Sequence, residues 1–115
     1  MHECQSIIDQ LKLQTDPHQR VELCLRALAL VERAHDPASW AWLQVNLANN
    51  LILDPSGGRA DNLERAIEHY GLALQVYTRE AFPEHWARAQ GSLGNLYSNR
   101  IRGERADNLE KAIAC

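Results

Sequence analysis

The sequence predicts an all-α solenoid of stacked helix pairs, and three observations carry that expectation. Composition leans to helix: of 115 residues, 16 are Leu and 15 are Ala, against only 12 Val, Ile or Thr. Apolar residues recur at i, i+3, i+4 and i+7 instead of alternating. The chain also repeats itself at an offset of 46 residues. Such a period belongs to stacked two-helix units.

The duplication is plainest at RADNLERAI (Arg59–Ile67), which returns as RADNLEKAI (Arg105–Ile113). Upstream, Pro37, Trp40, Ala41, Gln44, Leu47 and Asn49 recur as Pro83, Trp86, Ala87, Gln90, Leu93 and Asn95. From Pro37 to His69, 15 of 33 positions match those 46 residues on. A weaker echo relates Val21–Arg33 to Ile67–Arg79. The expected units are therefore a degenerate helix pair at 1–36, a full repeat at 37–82 and a shortened one at 83–115.

Six helices are expected, near residues 2–14, 17–34, 38–53, 61–80, 84–100 and 107–115. The first carries Cys4, Ile7, Ile8 and Leu11 on one face, and the second Arg20, Cys24 and Ala27. Asp16-Pro17 and Asp36-Pro37 each place a capping carboxylate before a helix-opening proline. The third helix has a stripe of Trp40, Leu43, Leu47, Ala48 and Leu51. Gly57-Gly58 then marks a turn. Asp61 with Glu64 reads as a capping box opening the fourth helix, whose stripe runs Leu63, Ala66, Ile67, Tyr70, Ala73, Leu74 and Tyr77. Pro83 opens the fifth helix, with Trp86, Ala89, Leu93, Gly94 and Tyr97 as its stripe. Gly103 reads as a second turn, and Asp107 with Glu110 as the capping box of a sixth helix.

The two-helix unit resembles a tetratricopeptide repeat. Leu93, Gly94 and Tyr97 match that family's first-helix pattern of large, small and aromatic residues, and Leu47, Ala48 and Leu51 match it less closely. Ala66, Tyr70 and Ala73 match the second helix. The unit of 46 residues exceeds the family's usual 34, and Gln44 and Gln90 stand at the family's tryptophan position. Ile8 and Arg20 stand where small residues belong, which suits a capping unit more than tight stacking. Long repeats with a RADNLE turn and an FPE-x-W opening are similar to those of bacterial multidomain proteins, where they accompany CHAT peptidase or signalling domains.

The resemblance implies a right-handed superhelical solenoid whose first helices line a concave binding face. By the family's pattern that face takes His2, Gln5 and Asp9, then Trp42, Val45, Asn46 and Asn49, then Arg88, Ser92, Asn95 and Asn99. Asn49 and Asn95 can hold an extended peptide by its amides, or instead bond neighbouring helices or face water. Arg88 can pair with a carboxylate. The family's carboxylate clamp is not expected: Gln5 and Asp9 occupy two of its positions, and Ser92 departs at a third, although Asn46 and Arg88 match. Trp42, Val45, Ile52 and Leu53 form an apolar patch whose counterparts are Arg88, Gly91, Ser98 and Asn99. The patch is either an anchoring surface or, as the apolar Leu23 and Leu30 favour, ground covered by the first two helices.

The remaining signals narrow the class of function. Fifteen acidic against 12 basic residues give a net charge of −3, which supplies no basic footprint for nucleic acid or an anionic membrane. Three cysteines with no CxxC spacing point to free thiols in a cytoplasmic protein, Cys4 and Cys24 acting as small hydrophobes. The N-terminus has no signal-peptide pattern. The five histidines form no HxxxH or HExxH motif, and no nucleophile or phosphate-loop motif is present. No enzyme activity, cofactor or metal is expected. The expected partner is a peptide or protein on the concave face. Two alternatives stand beside it: the regulatory arm of a larger peptidase or signalling protein, and an assembly segment. In the latter, a part of a longer array self-associates as a homo-oligomer through Leu109, Ala112 and Ile113 at its open end.

Overall fold

Helices make up all the regular structure of the computed structural model, which describes the backbone of residues 2–114 and the side chains of residues 5–100. They are α1 (His2–Leu13), α2 (Pro17–Leu30), α3 (Pro37–Leu53), α4 (Arg59–Leu74) and α5 (Pro83–Ala114). Among the described residues there is no strand, and no helix is long and apolar enough to cross a membrane. Substantial helix contacts among the described residues run between neighbours in sequence: α1 on α2, α2 on α3, α3 on α4, α4 on α5. The radius of gyration is 16.1 Å, against about 13 Å for a compact domain of this length. A 32-residue α5, about 48 Å long at 1.5 Å per residue, accounts for that elongation.

Helix starts follow the local chemistry. Asp16 accepts a hydrogen bond from the Gln19 amide and Asp36 from the Ser39 amide, each at 3.1 Å, with proline at the first helical position. Helix ends depart further from expectation. The second helix stops at Leu30, four residues early, because Val31 turns extended after closing on the Ala27 carbonyl. The fourth starts at Arg59 with Gly58 as its cap, so Asp61 lies inside the first turn and the expected Asp61/Glu64 box is not formed. It ends at Leu74, where tighter turns through Gln75–Thr78 bring Tyr77 into the core.

The expected sixth helix is not separate. Residues 83–114 run as one helix, through Gly103 and the second RADNLE segment. The reason lies in the turn before α4. Pro55 forces Asp54 extended (φ −74°, ψ 119°), and Gly57 takes a left-handed φ of 75°. Asn62 then locks the turn, donating from Nδ2 to the carbonyls of Asp54 (3.2 Å) and Ser56 (2.9 Å). At the matching place 46 residues on, Ile101 replaces Pro55 and Glu104 replaces Gly58. Without the proline, nothing forbids the helix from continuing.

The core is one cluster around Leu11, Cys24, Leu43, Leu47, Leu51 and Tyr70, with a second around Ala41, Ala73 and Tyr77. Cys24 is fully buried, and burial pushes its thiol up to about 11. Cys4 lies outside the described side chains. Ile8 is buried, and Arg20 holds the first unit together despite its size. Its Nη1 donates to the carbonyls of Leu11 and Gln14, capping the end of α1, and its Nε donates to Asn50 Oδ1 on α3.

The third and fifth helices carry matching sequences but bury different faces. On α3, Ala41, Gln44, Ala48 and Leu51 are buried, and Gln44 Oε1 lies 2.7 Å from His69 Nδ1 of α4. Their counterparts on α5, Ala87, Gln90, Gly94 and Tyr97, are all exposed. Only the other face of α5, with Ala89 and Leu96, is buried in the core cluster that holds Ala66 and Tyr70 of α4. The expected stripe of Trp86, Ala89, Leu93, Gly94 and Tyr97 is therefore split, since no helix covers Gly94 and Tyr97 among the described residues.

Candidate functional site

A trough crosses the molecule from α1 over α3 to α5. Its larger lobe, about 550 Å³, lies between α3 and α5, with Tyr70 and Tyr77 contributed from the α4 side. A second lobe of about 410 Å³ extends over Gln5, Ile8 and Lys12 of α1. Trp42, Tyr77 and His85 line both lobes, so they join them. Small residues on α5 keep the space open: Ala87, Ala89 and Gly91 line it, and a Cβ at Gly91 would meet nothing within 4 Å.

Most residues expected on the concave face meet here. Trp42, Val45, Asn46, Asn49, Arg88, Ser92 and Asn95 share the larger lobe, and Gln5 lines the smaller. Two do not join them. Asp9 is exposed and accepts a hydrogen bond from Gln5 Nε2 at 3.1 Å. Asn99 is exposed and lines neither lobe. The side chains of His2, Leu109, Ala112 and Ile113 lie outside the described residues.

The polar side chains divide by what they already bond. Asn46 is committed within the fold: its Nδ2 donates to the Trp42 carbonyl (2.9 Å), and its Oδ1 accepts from Arg20 Nη2 (3.4 Å). Asn49 Oδ1 accepts from the Tyr70 hydroxyl, so one half of that amide is spent on α4. Burial raises the Tyr70 phenol above its usual value, while a hydrogen bond with Ser92 works the other way. Asn95 and Arg88 make no hydrogen bond or ion pair with the described residues. The two repeat-matched asparagines are thus unequal: Asn49 bonds a neighbouring helix, and Asn95 is open to a ligand.

Charge in the trough runs opposite to the whole chain. Lys12 and Arg88 line these two lobes with no Asp or Glu among the lining residues, while the cavity that shares Gln5, Ile8 and Ser39 with the smaller lobe adds Glu32 and Asp36. Its apolar end is an aromatic cluster that sequence reasoning did not assemble. Tyr77 lies 5.2 Å from Phe82 and 4.6 Å from His85, centroid to centroid, and Phe82 lies 5.8 Å from His85 edge-on. The FPE-x-W opening contains both Phe82 and His85, but the turn that swings Tyr77 back onto them has no sequence signature.

The apolar patch of the middle unit splits. Trp42 and Val45 are half-buried and form trough wall, whereas Ile52 is exposed and Leu53 is 66% exposed. The first two helices therefore leave its Ile52 and Leu53 uncovered. Leu23 is buried as expected of a covering helix, but Leu30 is 46% exposed.

A second polar cluster joins the start of α2 to the α3–α4 turn. His18 Nδ1 lies 3.0 Å from Asp54 Oδ2 and 2.9 Å from Ser56 Oγ, and Ser56 Oγ donates to Asp54 Oδ1 at 2.7 Å. Both oxygens meet Nδ1, and Glu22 Oε1 lies 3.4 Å from Nε2 on the other side of the ring. The cluster ties two elements together. Among the described residues no group of three or more His, Cys, Asp or Glu is placed to hold a metal ion.

In comparison with known proteins, no family model, no curated protein and no solved structure matches the chain.

Proposed function

We propose that this chain is a non-catalytic protein–protein interaction module of the tetratricopeptide type, a right-handed superhelical solenoid whose concave face is the trough. It takes an extended, acidic peptide segment of a partner protein. The observation that carries this reading is the charge inversion: cationic Lys12 and Arg88 line two lobes without carboxylates among their lining residues, in a chain of net charge −3. A ligand carboxylate pairs with Arg88, its backbone amides meet Asn95 and the free half of Asn49, and an apolar side chain rests against Trp42, Tyr77 and Phe82. Successive helix contacts and the 46-residue duplication support the solenoid.

An array of extended peptides, graded in charge and aromatic content, tests the reading. Acidic peptides carrying an aromatic or aliphatic anchor are retained, and their basic permutations are not. Uniform retention across charges, or none at all, would remove the trough as a peptide site.

A further inference from the structure

Two matching helices in one chain report what each face is built to receive. On α3, the face of Ala41, Gln44, Ala48 and Leu51 is buried where α4 folds back over it. Gln44 meets His69 far from the turn, and Asn62 bonds Asp54 close to it, so the pair is antiparallel. On α5 the equivalent face of Ala87, Gln90, Gly94 and Tyr97 is exposed, with Tyr97 at 44%, and a Cβ at Gly94 would meet nothing within 4 Å. This bare face continues directly from the one that α5 packs on α4.

The sequence that fits such a face is also present. Residues 105–113 repeat the opening of α4 with a single change, Lys111 for Arg65. Yet they extend the same helix, so within one chain they point away from the face they match. We propose that this face, at Gly94 and Tyr97, receives residues 105–114 of a second copy, two chains exchanging these segments in an antiparallel α5–α5 pair.

The register supports the exchange. Gln44 and His69 lie opposite each other, and their midpoint falls between Ser56 and Gly57, in the turn. One repeat on, that midpoint lies between Arg102 and Gly103. An interchain pair in the same register has its two-fold axis there, where a glycine lets two helices approach closely. Straightening a hinge turn into helix is how a hairpin becomes a swapped dimer, and the loss of the Pro55 equivalent at Ile101 is what permits it. In that register residues 105–114 lie opposite 91–100, a stretch whose Gly94 and Tyr97 line neither lobe of the trough.

Sedimentation equilibrium across a concentration series tests the exchange. The expected species is a dimer at twice 13.0 kDa that dissociates on dilution. Ile101→Pro restores the turn of the preceding repeat, lets residues 105–114 close on their own α5, and leaves a helical monomer. Tyr97→Glu places a charge in the exchanged interface and also gives a monomer, and it decides alone if the proline variant loses its circular dichroism. A monomer at every concentration overturns the proposal, as does a dimer that persists in a folded form of either variant.

Discussion

Arg20 on α2 reaches across to α3 and donates from Nε to Asn50 Oδ1 at 3.2 Å. The same guanidinium caps the end of α1 through the carbonyls of Leu11 and Gln14, so one side chain joins three helices. Arg20→Ala leaves half-buried acceptors without a donor, and we expect a loss of about 2–4 kcal/mol in urea unfolding. Arg20→Lys recovers little, because a single ammonium cannot reproduce the fork. A loss below about 0.5 kcal/mol for Arg20→Ala, the size of an ordinary surface change, would show the network to be idle.

Two histidines give opposite pH responses. The hydrogen bond and charge of Asp54 raise His18 above its ordinary 6.5, so its contribution is complete below that value and fades as pH rises through the raised one. Asp54 is lowered from 3.8, first by Ser56 and then by His18, so its share is present above 3.8 and lost as pH falls through the lowered value. Both hold together between those limits. Burial lowers His69, whose stabilising neutral form is complete above 6.5 and lost as pH falls through its lowered value. The urea midpoint of His18→Ala therefore differs most from the parent below pH 6.5, and the gap narrows as pH rises through the raised value of His18. A gap that widens with pH contradicts the assignment.

Two glycines respond to alanine with opposite signs. Gly57 sits at φ 75°, and its Cβ would lie 3.2 Å from Asn62 Oδ1, so Gly57→Ala costs about 1–2 kcal/mol. Gly94 lies inside α5 with free space around it, so Gly94→Ala restores the alanine of its counterpart Ala48 and gains about 0.5–1 kcal/mol. Thermal unfolding of the two variants reads both signs in one experiment.

Where structure depends on a residue and its immediate neighbours, the sequence was a sufficient guide. Asp-Pro pairs set the starts of α2 and α3, and Pro83 that of α5. Arg33 lies 4.9 Å over the ring of Trp40, and 46 residues on Arg79 lies 5.8 Å over Trp86, so the repeat predicts even a cation–π contact. Similarity misled where one residue governs the outcome. RADNLE is identical in both copies, but the turn before α4 is made by Pro55, which the second copy lacks. Arg20 looked like a poor fit because its partners lie on two other helices. Asn46 and Asn49 were legible as trough residues, but their commitment to Arg20 and Tyr70 is set by helix packing.

The central claim is that the trough selects an acidic segment through Arg88. Isothermal titration of the parent and Arg88→Glu with one acidic peptide, and with its Lys-substituted counterpart, tests it most directly. The account predicts at least a tenfold loss for the acidic peptide in Arg88→Glu, about 1.4 kcal/mol, with recovery by the Lys-substituted one. Equal affinity of parent and variant for both peptides would contradict it.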